Sequence, residues 1–252
     1  PHTVHGFTTR QGGVSEGVFQ SLNFSPKWPE DADNVAQNHQ LLAAHLGYAR
    51  ERLYRVFQVH GADGVHVRQQ AVEEVYAVQA DYLITGEPGV TVGVITADCV
   101  PALIADATRP AVAAVHAGWR GLVAGVLGAA VQRMHDELGS DPRDLRAALG
   151  PCIGPRCFEV GPEVVAEFEQ AFPDHPELVV QPSTGKTFGD KPHIDLWRAA
   201  QLALEQAGLD PAHIDPPPAC TMSEPERFHS YRREGPRVGQ QLSVIGLVPG
   251  EA

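Results

Sequence analysis

The chain has 252 residues, 43% of them hydrophobic and 20% charged, which suits a globular protein and leaves no low-complexity tract or internal repeat. Its formal net charge is −12 and its isoelectric point is near 5.4, so neither nucleic acid nor an anionic membrane is expected as a partner. No apolar run is long enough to cross a bilayer, and the opening PHTVHGFTTRQGG lacks the charged-then-apolar layout of a signal peptide.

In chain order, residues 4–9 read as extended and TRQGGVSEG as a shaped loop. Asp31 to Leu46 carries an apolar stripe of Val35, Leu41, Leu42 and Leu46 with Gly47 as its stop, and is predicted helical. Leu53 to Val59 predicts a strand ending at His60-Gly61. Asp81 to Thr85, Val90 to Ile95, Val100 to Ala105 and Ala111 to His116 predict further strands. Residues 120–138 predict one helix closed by Gly139, and Leu145 to Leu149 a strand entering the rigid loop GPCIGP. Pro162 to Phe172 and Ile194 to Ala207 predict helices, the first with proline in its favoured first turn. Leu242 to Val248 closes the chain as a strand. Strict βαβ alternation is missing, which predicts an α+β fold: one layered domain over 1–252, a mixed sheet flanked by helices.

Four cysteines, Cys99, Cys152, Cys157 and Cys220, form no C-x-x-C pair, so free thiols in a cytoplasmic protein are expected. One of them draws attention. Val100 to Ala105 and Ala111 to His116 flank the turn DATRP. If Ala105 pairs with Pro110, Cys99 falls opposite His116, with Cβ atoms roughly 4.5–5.5 Å apart. This hairpin is ordinary core, a Cys–His nucleophile pair, or two ligands of a soft or borderline metal. His60, at a strand end with Gly61 behind it, can supply a third ligand. Three ligands and one open position are the pattern of a catalytic zinc. His66, alternating with valines in GVHVR, reads as a half-exposed strand residue; His5, His39 and His45 read as solvated or locally satisfied.

The motifs HGFTTRQGGVSEGVFQSLNFS, QVHGAD, TADCVPALIAD, VHAGWRGL, GPCIGPRCFEVG, DLW and CTMSEPERFHSYRR follow in this order. Together they resemble the YfiH-type family, long labelled laccase domain or polyphenol oxidase and later understood as purine nucleoside phosphorylases. The resemblance implies a single α+β layered domain and zinc held by His60, Cys99 and His116, which would also be the catalytic centre. It implies phosphorolysis of adenosine, inosine, guanosine and S-methyl-5′-thioadenosine, with hydrolytic deamination of adenosine at the same site. The chain departs from relatives at His39, where they commonly carry Arg, and after SYRR, where EGPRVGQQLSVIG with Arg237 replaces a Gly-Arg pair.

Phosphorolysis needs phosphate held against the ribose C1′, a task suited to the arginine fork. Arg10, Arg120, Arg232 and Arg233 are the phosphate candidates. The expected contacts with nucleoside and phosphate are Arg10, Asn23, Gln58, Arg120, Ser230, Tyr231 and Arg232. Loops 10–23, 150–157 and 223–233 should converge on the metal to form the pocket. Zinc lowers the pKa of bound water to about 7, which suits deamination. A copper oxidase has less support: H-x-H pairs are absent and Met134 and Met222 are the only axial candidates. Copper fits as an adventitious substitute for zinc. The remaining alternatives are a metal-free Cys–His hydrolase and a metal-stabilised scaffold. The protein is expected to be a monomer or homodimer.

Overall fold

The strands divide between two main sheets. The computed structural model describes residues 3–25, 30–180 and 191–248. Its strands are β1 Thr3–Phe7, β2 Leu53–Tyr54, β3 Gly64–Val67, β4 Tyr82–Thr85, β5 Thr91–Thr96, β6 Val100–Asp106, β7 Val112–Ala117, β8 Leu145–Leu149, β9 Val179–Val180, β10 His193–Ile194, β11 Ile214–Asp215 and β12 Gln241–Leu247. Its α-helices are α1 Ala32–Leu46, α2 Val72–Tyr76, α3 Trp119–Val123, α4 Val126–Leu138, α5 Pro162–Ala171, α6 Leu196–Gln206 and α7 Tyr231–Glu234. One sheet runs β11-β8-β6-β7-β4-β3, the other β1-β12-β5-β2, and a small ribbon joins β9 to β10. Both main sheets are mixed: β3 with β4, β8 with β11 and β2 with β5 are parallel, the other pairs antiparallel. The fold is therefore α+β with mixed sheets flanked by helices.

The central strands are apolar on both faces because each sheet is covered on both. On β6, Ala102 and Ile104 pack with Leu127 and Val131 of α4 and Leu196 and Ala199 of α6. Leu103 points the other way, joining Val112 and Ala114 of β7, Val92 and Val94 of β5 and Ile245 of β12 between the sheets. Leu242 and Val244 of β12 turn outward to Leu42 of α1 and to Phe24 in the segment before it. The layers are thus helix, four-stranded sheet, six-stranded sheet, helices. Each such leucine, isoleucine or valine stabilises by roughly 1.5–3 kcal/mol when fully buried.

The helix signals act as expected at α1, where the Asp31 side chain accepts from Asp33 N and Gly47 closes the helix at φ 77°. The stretch 120–138 is two helices, not one. Gly125 adopts φ 81° between α3 and α4, a left-handed geometry that glycine reaches without steric cost. The predicted strand Leu53–Val59 pairs with β5 over Leu53–Tyr54 and bridges Gln79 at Phe57, then stops, because Val59 and His60 give their amides to the Asp81 side chain instead of a ladder.

The hairpin register also differs from expectation. Ala105 pairs with Val112 and Pro101 with His116, two residues along from the predicted alignment. Asp106 causes the slip: its carboxylate accepts from Thr108 N and Arg109 N, and its own amide donates to Ala111 O, which lengthens the turn. An even slip preserves the face of every side chain. Cys99 still lies on the His116 side, diagonal rather than opposite. Pro101 is tolerated centrally because its carbonyl accepts from Gly150 N at the end of β8, where its missing N–H breaks no further ladder bond.

Candidate functional site

Three element ends meet at one point. His60 lies in the bend after β2 with a left-handed φ of 64°, Cys99 immediately precedes β6, and His116 sits in β7. Asp81, fully buried before β4, holds two of them. Its Oδ1 accepts from His116 Nδ1 at 2.7 Å and His60 N at 2.9 Å; its Oδ2 accepts from Gly61 N at 2.6 Å and Val59 N at 3.3 Å. Those bonds hold the otherwise uncommon His60 backbone geometry and direct His116 Nε2 into the cluster. Burial works against an ionised Asp81, but the hydrogen bonds from His116, Gly61 and His60 outweigh it and keep its pKa below the usual carboxylate range.

The donor atoms of His60, Cys99 and His116 all lie within 4.8 Å of one another. His60 Nε2 is 3.8 Å from Cys99 Sγ. Tetrahedral zinc with ordinary bond lengths would set such an N···S edge at about 3.6 Å. The two imidazoles meet edge to face with centroids 4.7 Å apart. Gly118 leaves the room: a Cβ there would stand 2.8 Å from His60 Cδ2 and 3.2 Å from Cys99 Sγ. Burial pushes the Cys99 thiol up, yet the His116 charge and hydrogen bonds from both histidines bring it down to about 6. Burial pulls His116 down, while the Cys99 thiolate and the Asp81 carboxylate raise it to about 9. This donor set fits a soft or borderline divalent metal with one position left open.

The cluster opens into a cavity of about 610 Å³. Of the expected contacts, Gln58, Arg120, Tyr231 and Arg232 line it. Gln58 is committed to β5, donating to Ile95 O at 2.8 Å and accepting from Ile95 N at 2.9 Å. Arg120 is exposed and stacks on Trp119, 4.3 Å from the ring centroid. Arg232 donates its Nη1 to Glu159 O at 2.9 Å and lies over the Phe158 ring.

Arg10, Asn23, Ser230 and Arg233 lie outside the described lining. Arg10 bonds Gln20 O, Pro225 O and Glu234. Asn23 is buried, accepts from Ser25 N and Gln240 N and donates to Glu30. Ser230 caps α7 and donates to Asp98 Oδ2. Arg233 is spent on the carbonyls of Thr221, Met222 and Phe228. Loops 150–157 and 223–233 reach the cavity through Ile153, Tyr231 and Arg232. Loop 10–23 does not line it, because Asn38 of α1 gathers it by bonds to Val14 N, Ser15 Oγ and Asn23 O.

His66 is half-buried and pairs with Glu137 at 2.7 Å. His39 differs from expectation: it is buried, 5.0 Å from the Phe24 ring, because α1 turns it into the core. All four cysteines are free.

Sequence reasoning missed three groups: Asp81, Asp98 and Arg55. Asp98 carries φ 92° and accepts from Thr221 Oγ1 at 2.5 Å, Ser230 Oγ at 3.0 Å and Arg232 N at 2.7 Å. Burial raises its pKa against those bonds. The signal was a charge set against apolar runs, in DYLIT, ADCVP and LYRVF.

The family model described as multi-copper polyphenol oxidoreductase laccase matches residues 4–248. A protein of Bacteroides thetaiotaomicron named purine nucleoside phosphorylase is 36% identical over 249 residues, which is 96% of this chain and 90% of that relative. A Deinococcus radiodurans protein of the same name is 37% identical over 243 residues, 96% of this chain and 88% of that one. The crystal structure of a Bacillus licheniformis YfiH protein is similar at TM-score 0.90 and 28% identity, covering 97% and 92% of the two chains.

Proposed function

Because the chain belongs to the laccase-type family matched over residues 4–248, and its relatives are named purine nucleoside phosphorylases, we propose that it is a metal-dependent enzyme of that kind. The observation that carries this reading is the His60–Cys99–His116 cluster, opening into a cavity that also receives Arg55, Arg120 and Arg232 in a chain of net charge −12. The substrates are adenosine, inosine, guanosine and S-methyl-5′-thioadenosine with phosphate, and residues 1–252 act as one cytoplasmic catalytic domain. No helix among the described residues is long and apolar enough to cross a membrane. Zinc is the metal we assign, with copper as an adventitious substitute.

When bound, zinc would supply Lewis acidity toward water or a substrate heteroatom and lower its pKa. The protein does the positioning. Asp81 holds His116 and the His60 loop; Trp119, Phe158 and Tyr231 offer flat faces to a purine; arginines draw phosphate in. In phosphorolysis a phosphate oxygen bonds C1′ of the ribose while the C1′–N9 bond breaks, and the purine leaves with the electron pair and takes up the proton that phosphate loses. Hydrolytic deamination of adenosine is the second activity proposed for the site.

A multi-copper oxidase is the weaker reading. Met134 is buried in the helical core, Met222 does not line the cavity, and one ligand cluster of this kind is present among the described residues. The test is to incubate metal-defined protein with adenosine, with and without phosphate. Adenine with ribose 1-phosphate, formed only when phosphate is present, supports phosphorolysis; inosine formed in either case supports deamination. Absence of both products would overturn the assignment.

A further inference from the structure

Arg55 follows β2 inside the apolar stretch LYRVF and lines the same cavity as the metal-ligand cluster. It is half-buried, and a cation in that position calls for a compensating charge. Among the described residues no carboxylate pairs with it. Its Nη1 reaches Phe24 O at 3.5 Å, and its Cζ lies 5.5 Å from the Tyr76 ring centroid. A contact that long is at the edge of hydrogen bonding, so among the described residues most of the donors in the guanidinium fork are uncommitted. Nearby titratable groups do not neutralise it. Burial, reinforced by Arg55 and Arg50, pulls His39 down to about 3, leaving a neutral imidazole at pH 7. Burial raises the Tyr48 hydroxyl to about 12, so it is no phenolate.

Two further lining residues carry unspent polar atoms. Thr96, at the end of β5, is 2% exposed, and its Oγ1 has no partner among the described residues. The Gln240 Oε1 is likewise buried without one, and a half-turn about the last side-chain bond presents its NH2 group instead. Phe24 ties Gln240 to Arg55: its amide donates to Gln240 O at 3.1 Å while its carbonyl faces the guanidinium. Unlike Arg55, the arginines Arg120 and Arg232 are exposed, where water screens them.

We propose that Arg55, with Thr96 and Gln240, forms an oxyanion subsite of this cavity that binds inorganic phosphate. The inference rests on the phosphorolysis reading for its role. Thr96 is three residues before Cys99, so their Cα atoms are at most about 11 Å apart. A nucleoside bound at the metal-ligand cluster is long enough to turn its ribose to a phosphate held there. The guanidinium fork and hydroxyl would hold three phosphate oxygens and leave one to attack C1′.

The test is calorimetric titration of the metal-loaded full chain with inorganic phosphate, and separately with adenosine and adenosine 5′-monophosphate. Arg55→Ala should weaken phosphate at least tenfold, Arg55→Lys less, with adenosine affinity unchanged within twofold. The KM for phosphate in purine release should rise in the same order. Thr96→Val, which keeps shape and removes the hydroxyl, should weaken phosphate and carries the test alongside Arg55→Lys if Arg55→Ala does not fold. Wild-type phosphate affinity in both Arg55→Lys and Thr96→Val overturns the subsite. So does a loss confined to the monophosphate, which would mark a nucleotide-ester site. Arg55-dependent phosphate binding without purine release keeps the subsite and defeats phosphorolysis; phosphate-dependent release with an unchanged KM in the variants does the reverse.

Discussion

Asp81→Asn should loosen the metal centre and the fold together. The carboxylate takes four N–H donors on two oxygens: His116 Nδ1 and His60 N on one, Gly61 N and Val59 N on the other. Asparagine keeps one oxygen and turns an NH2 group toward the other pair of donors. Two bonds to a charged acceptor are lost, each contributing roughly 1.5–3 kcal/mol, so destabilisation should reach roughly 3–6 kcal/mol. For a chain of this length that lowers the melting temperature by at least about 6 °C. Metal affinity should fall about 10–100-fold, since the partner that orients His116 has changed. Competition against a chromophoric chelator gives the affinity, and scanning calorimetry on metal-free and metal-loaded samples gives the melting shift. Wild-type affinity together with an unchanged metal-free melting temperature would show that Asp81 orients nothing.

Gly118→Ala should separate metal from stability, because φ −69° and ψ 165° suit alanine while its Cβ crowds His60 and Cys99; elemental analysis should show at least a tenfold loss of zinc affinity with near-normal melting, and retained affinity would count against the cluster geometry. His116→Ala should lose zinc, phosphorolysis and deamination together while the variant stays folded; full phosphorolysis in a folded, zinc-free sample would move that chemistry to the arginines. Acid should unfold the protein partly through His39, whose pKa is 6.5 when unfolded and about 3 when folded. The unfolded chain then binds more protons, so this stability is complete above pH 6.5 and is lost as pH falls toward 3, amounting to roughly 3 kcal/mol by pH 4. Urea titrations at pH 7 and pH 4 should show that loss in the wild type and a smaller one in His39→Gln; equal losses refute it. His229, held down to about 4 by burial and Arg10, adds an effect of the same sign.

The His60–Cys99–His116 cluster was legible because a thiol and imidazoles at strand ends have few other uses, and because strand periodicity survives an even register slip. The turn at Asp106 was not legible to the residue, since its side chain competes with the ladder for the same amides. The two-sheet arrangement escaped notice because strands apolar on both faces, such as β5 and β6, look alike whether one sheet or two cover them. Asp81 and Arg55 read as ordinary charges in a line of text. Their importance comes from partners far away in sequence, such as His116 for Asp81 and Phe24 for Arg55, which only the packed layers bring near.

The Asp98 carboxylate collects Thr221, Ser230 and Arg232 beside Cys99, while its carbonyl receives Ile153 N. A backbone shift that carries Cys99 out of the cluster would therefore pull on a segment more than a hundred residues downstream. Hydrogen exchange should therefore show local opening of the His60–Cys99–His116 cluster and of the stretch 221–232 as one event. A metal ion binding at Cys99 would slow deuterium uptake at the Arg232 amide, which donates to Asp98 and touches no ligand atom. The wall of the cavity thus reports on the occupancy of its floor, and a nucleoside resting on Tyr231 would in turn slow the escape of the metal.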